Sequence, residues 1–148
     1  SVARVAAMNE YGVPGGTSGG WKVPPRPAIG TALAQNEAKY RRSMQTRLGI
    51  EAAKTARKNR SPRQHREAVR KSMMALGEMV ANDIRESILG WRTPPNADET
   101  IRKKGEDNPL VEDGTLASAF EPTWTPSGGT GNVLGGLAKA VKALGGKK

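Results

Sequence analysis

At 148 residues with a net charge of +10 and no cysteine, the chain is one domain's worth of polypeptide, without a disulfide framework or a thiolate metal site. Hydrophobic residues (36%) and aromatics (4%) are scarce, and the 18 Gly and 10 Pro gather in two places, which implies a compact core with extended arms. No run of about 18 apolar residues exists, so no membrane span is expected, and the start SVARVAAMNEYG lacks the apolar centre of a signal peptide.

The charge is concentrated. From Lys39 to Lys71 there are 12 Lys and Arg against 2 acids, Glu51 and Glu67, while the remainder of the chain balances. Such a pole suits an acidic partner surface or a polyanion, and equally a solvated helix pair with a basic tip.

Taken in order, Val2, Val5, Met8 and Tyr11 are separated by small or polar residues, and a strand is expected over Val2–Met8. Residues 12–27, GVPGGTSGGWKVPPRP, are too rich in Gly and Pro for a helix interior or a central strand, so a loop is expected. Trp21 stands alone in it, suited to packing on its own domain or to anchoring a partner. Pro25, Arg26 and Pro27 form an extended lead-in, with Pro27 at the favoured first position of the next helix.

From Ala28 to about Arg57 the pattern is helical, with Ile29, Leu33, Tyr40, Met44 and Leu48 on one apolar stripe. Ser61 is a good N-cap and Pro62 a good first residue for a second helix running to about Leu89. Its stripe, Val69, Met73, Leu76, Val80, Ile84 and Ile88, is the strongest amphipathic signal in the chain, and Gly90 supplies a stop. Two long helices with a short polar connection fold back as an antiparallel hairpin, with Arg57, Lys58, Arg60, Arg63 and Arg66 at its tip.

Beyond the hairpin, Trp91 is placed to seal the helix end. Asn96 and Glu99 make a capping box for a short helix that Gly105 ends, and Asp113 caps a further turn after Leu110. Phe120 to Thr125 suits an edge strand. After Ser127-Gly128-Gly129, the apolar residues Leu134, Leu137 and Val141 lie on one helical stripe among lysines, as in an arm that docks on a neighbour.

No catalytic constellation emerges. The acid pairs Asp98/Glu99, Glu106/Asp107 and Glu112/Asp113 are adjacent on turns rather than facing across a cleft. No GxSxG or GxxxxGK[ST] pattern occurs, and His65 has only Arg63 and Arg66 nearby, so it is expected as an exposed helix residue. The 39–71 hairpin can be read as a basic nucleic-acid-binding module, although Tyr40 is its only aromatic.

One run carries more: Trp91, Thr93-Pro94-Pro95-Asn96, Thr100-Ile101-Arg102-Lys103-Lys104-Gly105, Asn108-Pro109-Leu110-Val111, then Asp113-Gly114, Leu116 and Ser118. Upstream stand Asn9-Glu10-Tyr11-Gly12 and Pro25-Arg26-Pro27 before a long helix. Together, in this order, these blocks resemble the neck and tail-completion proteins of long-tailed bacteriophages, a head–tail connector group. The chain departs from that pattern at Glu112-Asp113-Gly114, where the family often has Asp-Thr-Gly, at Ala28-Ile29, where a bulky aromatic usually follows the Pro, and in its Lys/Gly-rich extension.

The resemblance implies an α+β subunit, a long antiparallel helical hairpin packed on a small, mostly antiparallel sheet with extended arms. Residues 1–126 would form a single ring-forming domain and 127–148 a basic C-terminal arm. Copies would make a hexameric ring, or a dodecameric one, in the virion neck, after assembly in the host cytoplasm. The ring would sit between a portal-side connector or head-closure protein and a tail terminator or tail tube protein, with packaged DNA in its lumen and no enzyme activity, cofactor or membrane. Trp21, Pro25, Arg26, Pro27, Leu134, Leu137 and Val141 would serve as oligomer arms, and Trp91, Pro95, Ile101, Leu110, Asp113 and Gly114 as a structural clasp between the hairpin and the last strand.

Overall fold

The computed structural model describes residues 1–15, 21–58, 60–111 and 114–124, with the side chains of Trp21 and Lys58 left out of the description. In chain order the elements are α1 (Val2–Tyr11), β1 (Val13–Pro14), β2 (Trp21–Val23), α2 (Ala28–Lys58), α3 (Pro62–Gly90), α4 (Asp98–Lys104) and α5 (Thr115–Ser118). The described residues divide into two compact units, Ser1–Asn36 with Asn82–Phe120, and Glu37–Ala81 with residues 121–124. The two long helices contribute residues to both.

The second unit is the expected hairpin. Its turn is closed by a reciprocal capping box. The Gln64 N–H donates to Ser61 Oγ at 3.3 Å, and the Ser61 N–H donates to Gln64 Oε1 at 3.0 Å, with Pro62 as the first helical residue. Thr55 Oγ1 and His65 Nδ1 lie 2.8 Å apart, so His65 is half-buried and ties α3 to α2 instead of standing in solvent. Tyr40, Leu76, Val80 and Ala81 form the buried apolar part of this unit.

In the first unit the core is built on Ile84 and Ile88, each 1% exposed, with Ala28, Ala32, Leu110, Leu116 and Ala117 also buried. Ser87 Oγ donates to the Ala28 carbonyl at 2.8 Å and fixes the start of α2 beside the end of α3. α1 packs on α5, whose N-cap Gly114 has φ 78°, a left-handed conformation that favours glycine.

The stripe expected on α2 is displaced. Only Tyr40 of its five residues is buried; Ile29, Leu33 and Met44 are half-buried and Leu48 is 38% exposed. The buried line runs through Ala28, Ala32, Tyr40 and Glu51 instead. Counting large side chains misses it because the innermost positions near the start of α2 are alanines. On α3 the stripe is as expected from Leu76 to Ile88, whereas Val69 and Met73 are half-buried.

Several elements differ from the sequence expectation. Val2–Met8 belongs to a helix, not a strand. Its spacings of three suit either state, and the structure shows Val5, Met8 and Tyr11 exposed on α1. The loop 12–27 contains a short antiparallel ladder in which Val13 pairs with Val23 and Pro14 with Trp21, across an irregular register. Pro14 is tolerated in a two-residue strand of a two-stranded sheet, where few ladder bonds are required.

Residues 120–124 carry no strand. The Phe120 carbonyl instead accepts from Arg85 Nη2, which spends it on a side chain. Pro27 is not the first helical residue; its carbonyl accepts the Thr31 N–H at 2.9 Å. α4 is capped by Ala97, not Asn96, and without a side-chain bond, while Gly105 ends it in the left-handed region as expected. Gly90 is the last residue of α3 rather than its breaker. The fold is therefore mostly helical, a long helical hairpin with one small two-stranded antiparallel sheet among the described residues.

Replacing Ile84 by Ala should cost about 2–5 kcal/mol, the usual range for emptying a fully buried aliphatic site. Leu48→Ala should stay within about 0.5 kcal/mol, as for an exposed position. Urea unfolding of both variants checks the pair; a Leu48 cost comparable with that of Ile84 would place Leu48 in the core.

Candidate functional site

Two places gather the residues that the sequence marks out. The first is a clasp in the first unit. Glu10, at the end of α1, directs its carboxylate at the start of α2. There Oε2 accepts the Ile29 N–H at 3.1 Å and Oε1 the Gly30 N–H at 2.7 Å. A remote side chain thus satisfies two of the donors that a helix N-terminus leaves open, and its charge suits the helix dipole. A larger residue than Gly30 would displace this carboxylate, because a Cβ there would lie 2.7 Å from Glu10 Oε1.

Arg26 is the second member. Its N–H donates to the Asn9 carbonyl at 2.6 Å, its Nε to the Pro94 carbonyl at 3.1 Å and its Nη2 to the Pro95 carbonyl at 3.1 Å. The residue is 7% exposed. Burial pulls its guanidinium pKa down and the nearby Asp107 carboxylate opposes that pull. Asp107 also accepts the Asn96 N–H at 2.9 Å, so the Pro94–Asn96 turn is held from both sides.

Around this clasp Trp91 is half-buried with its backbone N–H on the Ile88 carbonyl, Ile101 is half-buried and Leu110 is buried. Pro95 is exposed, and its carbonyl serves Arg26. Asp113 lies outside the described residues. Of the expected arm residues, Arg26 is locked into its own chain, Pro25 is half-buried, and Trp21 takes part through its backbone in β2. Leu134, Leu137 and Val141 lie outside the described residues. Sequence reading did not find the role of Glu10. The signal available was a glycine in the first turn of a helix, at Gly30, where helix propensity alone disfavours it.

The second place is the basic face of the hairpin. Arg57, Arg63 and Arg66 are exposed, as expected of a contact surface. Arg60 behaves differently. Its Nη1 donates to Glu51 Oε2 at 2.6 Å, and Lys54 Nζ holds Oε1 at 3.2 Å. The hydrogen bonds from Arg60 and then Lys54 keep the Glu51 carboxyl below the usual carboxylate range. Glu67 is likewise held low, first by its bonds from Arg70 at 2.8 and 2.9 Å. An open groove runs here, lined by Arg47, Glu51, Arg60, Arg63, Gln64, Glu67, Ala68, Lys71 and Ser72.

Compared with protein-family models, with curated proteins and with solved structures, the chain shows no significant match. No described helix is long and apolar enough to cross a membrane.

Because a Cβ at position 30 would push the Glu10 carboxylate off its cap, Gly30→Ala should not give the usual helix gain of about 0.5–1 kcal/mol in the native chain. In a Glu10→Ala background, which itself loses about 0.5–2 kcal/mol of capping, the gain should appear. A double-mutant cycle in urea reads this directly; additive effects would mean that the two residues do not meet.

The Glu10 carboxyl also titrates above its ordinary range. Burial raises it and the two N–H bonds only partly offset the rise. The folded state then holds this proton more tightly than the unfolded chain, so the contribution of Glu10 is largest below the unfolded pKa and falls as pH rises through the folded one. Relative to Glu10→Gln, the native protein should lose stability from about pH 4 towards neutrality. A relative gain over that interval would mean that the cap outweighs the burial.

Proposed function

We propose that the chain is a structural protein of the bacteriophage neck, a subunit of a homo-oligomeric ring that completes the tail or connector and joins head to tail. The observation that carries this reading is the convergence of the sequence blocks that resemble the neck and tail-completion family. Arg26 from the second block donates to the carbonyls of Asn9 from the first and of Pro94 and Pro95 from the third, so the three are joined in one hydrogen-bonded clasp. Blocks that are far apart in sequence and weak individually are thus parts of one physical device.

Further support comes from the surface. Val5, Met8 and Tyr11 leave an apolar line exposed on α1, as suits a subunit that completes its burial against neighbours. The partners in this reading are further copies of the chain, a head-closure or portal-side protein on one side and a tail terminator or tube protein on the other. Its role is to shape a junction, without catalysis. The same reading carries the fuller α+β architecture, in which a sheet covers the hairpin, and arms, residues 127–148 among them, cross to adjacent protomers.

Size-exclusion chromatography with light scattering should give a closed ring, and the protein should be found at the neck of assembled particles. A chain that stays monomeric at high concentration and is missing from particles would overturn the proposal. Truncation after Pro126 should weaken ring or partner assembly while leaving the helical circular dichroism intact; unchanged assembly would remove the arm from the reading.

A further inference from the structure

The groove on the hairpin has a composition that decides what fits it. Its walls present Arg47, Arg60, Arg63 and Lys71. Its two carboxylates are already engaged, Glu51 by Arg60 and Lys54 and Glu67 by Arg70, so they oppose an incoming anion less than bare acids would. Gln64 and Ser72 add neutral polar groups, and Ala68 is the only apolar residue in the lining.

A protein partner needs large apolar or aromatic anchors at the centre of its interface, and this groove has none, its apolar surface being one alanine and the stems of polar and charged side chains. Phosphate oxygens, in contrast, are bound by Arg and Lys with Ser and Gln in support. No aromatic lines the groove, so nothing there stacks on an unpaired base. The chemistry therefore favours a duplex gripped through its backbone over a single strand read through its bases.

We infer that the groove between α2 and α3, centred on Arg47, Arg63 and Lys71, binds the phosphate backbone of double-stranded nucleic acid without sequence preference. Arg60 is a positioning residue in this arrangement. Glu51 holds its guanidinium against the hairpin, where it shapes the wall and lends positive potential. The binding does not depend on whether the chain forms a ring.

Fluorescence anisotropy of the full chain with a duplex oligonucleotide of arbitrary sequence tests the proposal. Affinity should fall steeply with salt, by a log–log slope of about −0.9 for each phosphate neutralised. The triple variant Arg47→Gln, Arg63→Gln, Lys71→Gln should reduce the magnitude of that slope by about 2 to 3 and weaken binding at least roughly tenfold at low salt. Substituting lysine at both arginines should preserve the slope, because phosphate contact needs charge more than shape. Two charge-matched controls, Arg4→Gln with Arg92→Gln and Arg102→Gln in the first unit, and glutamine at Lys139, Lys142 and Lys148, should leave it nearly unchanged. Circular dichroism and thermal melting confirm that each variant is folded.

Equal losses in the groove variant and the controls would mean diffuse attraction by net charge and would overturn the site. Native-like binding by the groove triple would do the same. Tighter binding to an acidic polypeptide than to duplex, lost in the same triple, would reassign the groove to a protein partner.

Discussion

Arg26 is the residue on which the first unit depends. Its planar fork spans two successive carbonyls, and its own N–H reaches a third carbonyl at the end of α1. A lysine could satisfy one of these carbonyls but not both with fixed geometry. Through the backbone and side chain of this one residue the end of the N-terminal helix, the start of α2 and the turn after α3 are set relative to one another. Glu10 then takes advantage of that placement, because a carboxylate can cap a helix from another segment only when the segment is held at hydrogen-bonding distance.

The two units handle charge in opposite ways. In the clasp, charged groups face inward and are satisfied by backbone: Arg26 by carbonyls, Glu10 and Asp107 by N–H groups. These contacts specify shape, since each requires a particular backbone group in a particular place. On the hairpin, the few acids are consumed by neighbouring bases, and the remaining positive charge faces solvent. That division agrees with a molecule whose one part is built for exact geometry and whose other part is built for attraction at a distance.

The long helices were legible because their amphipathic period persists for many turns and because Ser61-Pro62 is an unambiguous start. The clasp turn was legible as a place dense in caps and turn residues, though its function as a receptor for Arg26 was not. An arginine that bonds to carbonyls some 70 positions away leaves no local trace, and composition alone makes it look like part of a basic, extended arm. His65 misled in the same manner. It looked like an exposed residue of a charged helix and proved to be a pin across the turn, as Glu51 is too, because a hairpin brings residues about ten apart into contact. The strand expected over Val2–Met8 failed for a different reason. Ten residues with apolar spacing of three do not distinguish helix from strand, and the large side chains of that segment do not point at the core that would have decided it.

The pins near the hairpin's turn have a dynamic consequence. Where Ile84 and Ile88 are sealed from water, opening the backbone exposes apolar surface and requires disruption of the core. Near the turn, Glu51–Arg60 and Thr55–His65 hold the helices through groups that water can satisfy almost as well. The turn-proximal segment should therefore open at a lower cost than the segment around Ile84, whose amides are expected to exchange only when the unit around them unfolds. In the binding role inferred for the groove, such opening would let the charged end of the hairpin adjust its side chains while the clasp keeps its form.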